Sequence, residues 1–439
     1  MPLPGGPDRT YSRSGRNPPW TKWSKPLTPL GIRIPRSSVS PQITVPGRFS
    51  HNETPGERGH DNRNRGRQKS KARRVPQPDM GDSDDSVQPP TPGPGDPINV
   101  GVVGAGAAGT AAAYALRDAD ATVTILEKSG GVCGRAATRR NEGCRYDHGA
   151  NYLKDADEWT TSLIRGLDTD GLVDIDKPVW TFDADGEVAE GHGNDGNKWT
   201  WRAGITQLAK RLLARTDATV HSRTRVESIE RTGAAWRLTD TEGADHGPFD
   251  SLLLTPPAPQ TADLLEATAW DDDRVEPLVD AVDAVPYRTI RTLVLHYPFR
   301  ESYPWYGLVN TDRGHAVGWL SREECKPGHV PDGESLLVVQ MSPTWSDAHY
   351  DDPVDDAAAA AAGHAASLLG DDRYRDPDWV DDQGWRYALP DEAAATEPVR
   401  AVEPAGLYAA GDWVAGEGRV TAALRSGHAA GERIRADRA

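Results

Sequence analysis

Residues 98–128 constrain the fold of this chain more than any other stretch. An apolar run rich in β-branched residues at 98–103 leads into an alanine-rich run that ends near residue 118, and a second β-rich run follows at 121–126. Three glycines in G-x-G-x-x-G spacing separate the first run from the alanine-rich one: Gly104, Gly106 and Gly109. Because β-branched apolar runs favour strands and alanine favours helix, the stretch predicts a strand–helix–strand unit with two parallel strands.

Each glycine has a physical role in such a unit. Gly104 allows the tight turn out of the strand, Gly106 lets backbone amides approach a pyrophosphate, and Gly109 lets the helix lie close to the sheet. The helix N-terminus adds unpaired N–H groups and a partial positive charge. Glu127 ends the second strand roughly 20 residues later, where a carboxylate can accept hydrogen bonds from ribose hydroxyls. The stretch therefore predicts a site for FAD or NAD, and the carboxylate disfavours the 2′-phosphate of NADP.

A second glycine cluster, GGVCGR at residues 130–135, follows closely. Its loop again brings backbone near phosphate, and Arg135 adds a permanent cation that can bind an anion with two hydrogen bonds. The sequence DHGAN at 147–151 then predicts a short turn whose backbone can face a cofactor ring. We expect both segments to lie beside the glycine loop.

The C-terminal segment carries the other cofactor signal. Residues 406–412 predict a strand that ends in Gly-Asp, and residues 420–435 predict a helix with small residues on one side. Asp412 is suited to bind a ribityl chain, while the helix dipole can stabilise negative charge on a reduced flavin. Two such signals about 300 residues apart, in this order, are more specific than either signal alone.

Together these motifs resemble the flavin-dependent amine-oxidase superfamily and, within it, the renalase-like branch. The resemblance implies FAD as the cofactor and an α/β fold, in which a discontinuous Rossmann-like FAD-binding domain is joined to an α+β substrate domain built on an antiparallel sheet. The expected segments are an extension and linker at 1–97, FAD-binding parts at 98–155, 203–259 and 398–439, and substrate-domain parts at 156–202 and 260–397.

Shorter patterns predict the remaining elements. A helix is expected from about residue 205, after Gly204, and a three-stranded meander at 224–230, 235–240 and 249–255. Further strands are expected at 291–297, 316–320 and 335–341. A helix with Asp352 as N-cap and Pro353 at its first position should end at Gly370.

The predicted cofactor residues combine these motifs with positions implied by the resemblance, of which Val226 would contact the adenine through its backbone. They are Gly104, Ala105, Gly106, Ala107, Ala108, Gly109, Glu127, Lys128, Gly134, Arg135, Gly149, Ala150, Asn151, Val226, Gly411, Asp412 and Val420. Trp385 and Tyr387, in a W-x-Y-A-x-P element, are predicted to line the substrate pocket, as are Trp413 and Trp305. No catalytic side chain and no metal site is predicted, because the flavin carries the redox step. No cysteine is suitably positioned to attach it covalently.

The charge of the chain is very unevenly distributed. The chain has 50 basic and 66 acidic residues. Residues 1–79 contain 16 basic and 5 acidic residues, which leaves 34 basic and 61 acidic residues in the rest of the chain. Only six of those 34 basic residues are lysines. An acidic, lysine-poor composition is typical of proteins from a high-salt cytoplasm, and it disfavours binding to nucleic acid or anionic lipid. The three cysteines show neither disulfide-framework nor zinc spacing, and no apolar run reaches membrane-spanning length, so we expect a soluble cytoplasmic protein.

Residues 1–97 show no hydrophobic periodicity and predict a disordered, basic extension and linker. The composition changes abruptly at Met80, which we expect to be the true start of translation. The alternative is a genuine tail whose basic run at 63–74 binds nucleic acid.

The expected activity is that of an FAD-dependent oxidoreductase. By resemblance, its small-molecule substrate is an amine or a dihydronicotinamide, and its acceptor is dioxygen or another oxidant. Two alternatives stay open: a carotenoid- or porphyrinogen-type desaturase, which would need a long apolar channel, and a non-catalytic carrier or escort protein on the same fold. The intact phosphate-loop glycines argue against the carrier.

Overall fold

The computed structural model describes residues 97–155, 157–191 and 196–437, which lie in one unit, Pro94–Ala439. The predicted N-terminal extension and the start at Met80 fall outside the described residues. The strands are β1 (Ile98–Val103), β2 (Ala121–Glu127), β3 (Thr138–Asn141), β4 (Cys144–Asp147), β5 (Leu153–Lys154), β6 (Leu172–Asp174), β7 (Val179–Phe182), β8 (Val188–Ala189), β9 (Lys198–Trp201), β10 (Thr219–Ser222), β11 (Val226–Thr232), β12 (Ala235–Asp240), β13 (Asp245–Phe249), β14 (Ser251–Leu254), β15 (Tyr287–Tyr297), β16 (Gly307–Asn310), β17 (Val317–Arg322), β18 (Ser335–Met341), β19 (Trp379–Pro390) and β20 (Leu407–Ala409). The α-helices are α1 (Ala107–Leu116), α2 (Glu158–Gly166), α3 (Gln207–Leu213), α4 (Ala258–Glu266), α5 (Val275–Asp283), α6 (Pro343–Ala348), α7 (Val354–Leu369), α8 (Thr396–Ala401), α9 (Asp412–Ala415) and α10 (Val420–Ala436).

The first sheet is parallel throughout, with strand order β10-β2-β1-β14-β20. Its strands come from the beginning, middle and end of the described chain. Helices α1 and α10 pack very closely at Gly427. A Cβ added there would lie only 2.0 Å from the carbonyl oxygen of Ala108. Gly427 therefore lets the last helix lie against the first, a contact that the sequence analysis does not predict.

One predicted strand belongs to a different sheet. The predicted three-stranded meander exists as β11-β12-β13. Its third strand is Asp245–Phe249, so the prediction that residues 249–255 form the third strand is wrong. The run Ser251–Leu254 forms β14 instead, paired in parallel with β1 and β20. All four of its residues are buried. A strand that is apolar on both faces is stable where both faces are covered, which is the centre of a parallel sheet.

The second large sheet has seven strands in the order β19-β15-β18-β17-β16-β7-β8, antiparallel except for the pair β7 and β16. The strands expected at 291–297, 316–320 and 335–341 correspond to β15, β17 and β18. Helix α7 contributes its alanine-rich face to the core beside this sheet. It ends at Gly370 as predicted, but Pro353 is its N-cap, one residue later than expected.

The predicted α/β fold class, with a Rossmann-like part and a second sheet-containing part, is confirmed. The exact domain boundaries stay a prediction. Within the described residues, none of the helices combines the length and hydropathy that crossing a bilayer requires.

Candidate cofactor site

The glycine loop lies between β1 and α1. Gly104 has a left-handed φ of +99°, and its N–H donates to Leu126 O at 2.8 Å, so it makes the predicted tight turn. A Cβ added at Gly109 would lie 2.0 Å from Gly104 O, so only a glycine at position 109 allows the start of the helix to lie this close to the loop. A Cβ added at Gly106, by contrast, would meet no atom of the described chain within 4 Å. Protein packing therefore does not require a glycine at position 106.

Open space beside Gly106 lies at the N-terminus of α1. Gly106 is the N-cap, so no side chain caps the helix, and its first turn contains no acidic residue. The first N–H groups of a helix lack intrahelical acceptors and attract anions. The loop thus fits the phosphates of a dinucleotide.

Glu127 is buried, with only 5% of its surface exposed. Its carboxylate accepts hydrogen bonds from the backbone N–H groups of Ala105 and Ser129, each at 2.7 Å. A carboxylate has about four acceptor sites, so it can also accept from a ribose. Glu127 consequently has a role that sequence reasoning missed, which is to hold the glycine loop against the end of β2.

Arg135 and Asp412 come together although they belong to separate motifs. The guanidinium donates to Asp412 Oδ1 at 2.8 Å and to Ala388 O at 3.0 Å. Burial lowers the pKa of Arg135, but the attraction of Asp412 outweighs it, so the pKa is raised overall. Burial and the charge of Asp412 also raise the pKa of Tyr287. Arg135 and Asp412 hold each other at the junction of the two large sheets.

The 147–151 turn lies against Arg135 and against the second sheet. Ala150 N–H donates to Arg135 O at 3.0 Å, and a Cβ added at Gly149 would lie 2.0 Å from the same oxygen. Gln340, on β18, donates to Gly149 O at 2.6 Å. Asn151 donates back to Asp147 O at 2.7 Å, which closes the turn. The predicted ring-facing segment is therefore tightly held.

The predicted pocket residues divide into two groups. Trp385 is half-buried and donates to His148 O at 3.3 Å, and its ring lies 5.2 Å from that of His148. Tyr387 is also half-buried, with its ring 5.8 Å from that of Tyr287, which in turn contacts Arg135. Both side chains thus lie next to predicted cofactor residues.

The predictions for Trp413 and Trp305 are wrong. Trp413 is fully buried, and its indole N–H donates to Pro256 O at 2.9 Å, so it offers no surface to a substrate. Trp305 packs into the core of the seven-stranded sheet at 3% exposure. A tryptophan whose ring is enclosed by the protein is a core residue.

The other predicted residues are distributed around this arrangement. Val226 is buried in the core between the meander and the parallel sheet, and its backbone contact with adenine stays a prediction. The Lys128 ammonium donates to Gln260 Oε1 at 3.0 Å. Gly411 N–H donates to Ser426 Oγ at 3.1 Å, which ties the end of β20 to α10, the helix that Val420 begins.

A buried lysine that no sequence motif singles out lies near the turn. Lys326 is fully buried, and its Nζ lies 2.9 Å from Asp147 Oδ2. The two residues are 179 positions apart, so no spacing links them. One signal was available: Lys326 is one of only six lysines after residue 79. Because its side chain has no exposed surface, Lys326 does not line a ligand site.

Comparisons with known proteins agree with this geometry. A family model described as flavin containing amine oxidoreductase matches residues 184–435, and one described as an NAD(P)-binding Rossmann-like domain matches residues 102–167. The first match spans more than half of the chain.

Solved structures with similar folds include several oxidases. A proposed protoporphyrinogen oxidase from Exiguobacterium sp. 255-15 has a TM-score of 0.63 at 16% identity, over 77% of this chain and 99% of its own. Putrescine oxidase bound to putrescine has a TM-score of 0.60 at 14% identity, with the same shares. Cyclohexylamine oxidase from Brevibacterium oxydans IH-35A has a TM-score of 0.59 at 14% identity, again over 77% and 99%. At these identities the likeness concerns the fold. Through its family match, the chain belongs to the flavin-containing amine oxidoreductases and is an FAD-dependent oxidoreductase.

Proposed function

We propose that this protein oxidises a small reduced substrate, either an amine or a dihydronicotinamide, in the manner of the renalase-like branch. The electrons would pass to dioxygen or another acceptor. FAD, when bound, supplies the hydride-accepting atom, flavin N5, so the chain itself needs no redox group. The observation that carries the proposal is the convergence of Arg135, Asp412 and the 147–151 turn on one another, next to two half-buried aromatic side chains.

The binding roles follow the chain. The loop from Gly104 to Gly109 would hold the pyrophosphate, Glu127 the ribose and Val226 the adenine. Arg135 and Asp412 would lie along the ribityl chain and ring, and the N-terminus of α10, at Val420, would face the flavin C2 carbonyl. All of these residues fall within the proposed FAD-binding segments 98–155, 203–259 and 398–439.

The protein's own side chains would bind and orient rather than transfer protons. Burial, with the nearby charge of Arg139, lowers the pKa of His148 to about 4, so its imidazole is neutral near pH 7. Gln340 and Trp385 fix the carbonyl groups of Gly149 and His148, which keeps the turn in one conformation. A neutral imidazole places no positive charge beside a substrate that becomes cationic when it loses hydride.

Non-covalent attachment of FAD is supported by the state of the thiols. Burial raises the pKa of Cys133 to about 12 and that of Cys144 to about 11, and it also raises the pKa of Cys325. The thiolate is the nucleophilic form of cysteine, so all three thiols are poorly reactive at neutral pH.

The first test is an absorbance spectrum of the full-length protein purified in molar KCl. Yellow protein that releases its flavin on denaturation supports non-covalent FAD. Anaerobic bleaching with a panel of amines and dihydronicotinamides then identifies the electron donor. A protein that stays colourless after incubation with FAD would contradict the proposal and favour a carrier. A flavin that only a polyene or a porphyrinogen bleaches would favour the desaturase alternative.

A further inference from the structure

Four ionisable side chains meet in the protein interior at the start of the 147–151 turn: Asp147, Glu323, Lys326 and His329. We call them the buried ion cluster, and none has any exposed side-chain surface. Lys326 Nζ lies 2.9 Å from Asp147 Oδ2 and 2.6 Å from Glu323 Oε1. The contact with Glu323 is an ion pair without regular hydrogen-bond geometry. His329 Nδ1 lies 2.8 Å from Glu323 Oε2.

The partners of His329 determine its charge. Its Nε2 lies 3.0 Å from the backbone carbonyl oxygen of Trp201, which can only accept a hydrogen bond. Its Nδ1 faces a carboxylate oxygen of Glu323, and this oxygen also lies 3.3 Å from the N–H of Asp147. Both ring nitrogens therefore face acceptors, and with Glu323 ionised an imidazolium satisfies both contacts.

An imidazolium balances the charge of the cluster. Two cations, Lys326 and His329, then face two carboxylates, Asp147 and Glu323. Burial lowers the pKa of Lys326, but the two carboxylates raise it overall. Burial raises the pKa of Asp147, but Lys326 and His329 lower it overall. Charged groups without solvent contact are tolerated when each is paired in this way.

The cluster acts on the 147–151 turn through Asp147 alone. Asp147 Oδ1 accepts from Thr138 Oγ1 at 2.7 Å and from Ile205 N–H at 3.0 Å, so every side of the carboxylate is held. Its carbonyl oxygen accepts from Asn151. The cluster thereby joins the loop after β17 to the start of the turn, whose later residues contact Arg135 and β18.

We propose that Glu323, Lys326 and His329 are positioning residues for the flavin. They fix Asp147, and through it the 147–151 turn, without touching cofactor or substrate. The inference rests on the proposed function, since it requires FAD to lie against this turn. It also assigns the space between the two carboxylates to an ammonium group rather than to a metal ion.

The test uses full-length Lys326→Met, in which two buried carboxylates lose their shared cation. Its FAD dissociation constant, from quenching of flavin fluorescence, should rise by about tenfold or more, and the flavin reduction potential should shift, because the turn is released. Adding Glu323→Gln restores the charge balance, and the double variant should regain most of the lost affinity.

Arg322→Met is the matched control. Arg322 is a buried cation at the end of β17, next to the cluster loop, but it donates to Trp305 O at 2.5 Å and to Tyr303 O at 3.2 Å, away from Asp147. It should lower the melting temperature while leaving the FAD dissociation constant and the potential unchanged. If Lys326→Met behaved like this control, the inference would be overturned.

His329→Gln serves if Lys326→Met does not fold, because it removes one charge and one donor without emptying the cluster. It should also weaken FAD binding, and unchanged binding in this variant would likewise overturn the inference. Wild-type protein that binds no FAD would instead refute the proposed function.

Discussion

Arg135 donates a 2.8 Å hydrogen bond to Asp412 across 277 residues of sequence. The first residue ends the glycine cluster after β2, and the second begins α9 after the last strand of the parallel sheet. Their ion pair joins the two predicted cofactor motifs and places the carbonyl groups of β19 beside them. The two motifs are thus connected by an ion pair that neither motif reveals by itself.

Asp412→Asn should weaken FAD binding by about tenfold, because it removes the negative charge that orients the Arg135 guanidinium. Arg135→Met should have a similar effect, and the double variant should be no worse than either single one. Titration of the apoproteins with FAD measures all three. Glu403→Gln is the control, since Glu403 forms an ion pair with Arg433 away from the site. Additive losses would show that Arg135 and Asp412 act independently.

Gly106→Ala and Gly427→Ala should separate cofactor binding from stability. At position 106, where φ is −73°, a methyl group meets open space, so the melting temperature of the apoprotein should not change while FAD affinity falls by about tenfold or more. At position 427 the same change places a Cβ 2.0 Å from Ala108 O and should cost about 1–3 kcal/mol of unfolding free energy. Unaltered FAD binding in Gly106→Ala would mean that the phosphates lie elsewhere.

Glu127→Ala should weaken FAD binding through loss of the ribose hydrogen bonds, and it should also destabilise the apoprotein. The N–H groups of Ala105 and Ser129 lose their acceptor, at about 1–3 kcal/mol for each group left unsatisfied. Denaturant unfolding and FAD titration measure the two effects separately. Full flavin occupancy in the folded variant would rule out the ribose contact, whereas unchanged stability would contradict the loop-holding role.

Acid should destabilise the apoprotein through His148. The histidine pKa is about 6.5 in an unfolded chain, whereas burial and Arg139 lower the pKa of His148 to about 4 in the folded protein. Above about pH 6.5 the ring is neutral in both states. As the pH falls towards 4, the unfolded state binds the proton first, so the unfolding free energy decreases by up to ~3 kcal/mol.

Denaturant unfolding of wild type and His148→Phe at about pH 7 and about pH 4.5 tests this, because both proteins share all other titrating groups. The wild type should lose more stability on acidification than the variant. Equal losses would show that His148 is not buried as a neutral ring.

Local patterns in the sequence were sufficient for much of the fold. The glycines at 104, 106 and 109, with Glu127, predicted the strand–helix–strand unit, since each acts on neighbours within a few tens of residues. The β12 strand at 235–240 and the end of α7 at Gly370 also followed from periodicity and a single left-handed residue. These features depend on backbone conformation and on which faces are apolar, and both are encoded locally.

Only the tertiary structure decided which distant segments meet. Residues 251–254 read as a strand, but its place in the parallel sheet depends on partners more than 140 residues away in both directions. Trp413, as a large aromatic residue next to Asp412, was predicted to line the pocket, yet Pro256 and the surrounding core enclose its side chain. Lys326 and Asp147 form an ion pair that no spacing announces. Side-chain burial and charge pairing arise from packing between elements, so they appear only when the sheets and helices are assembled.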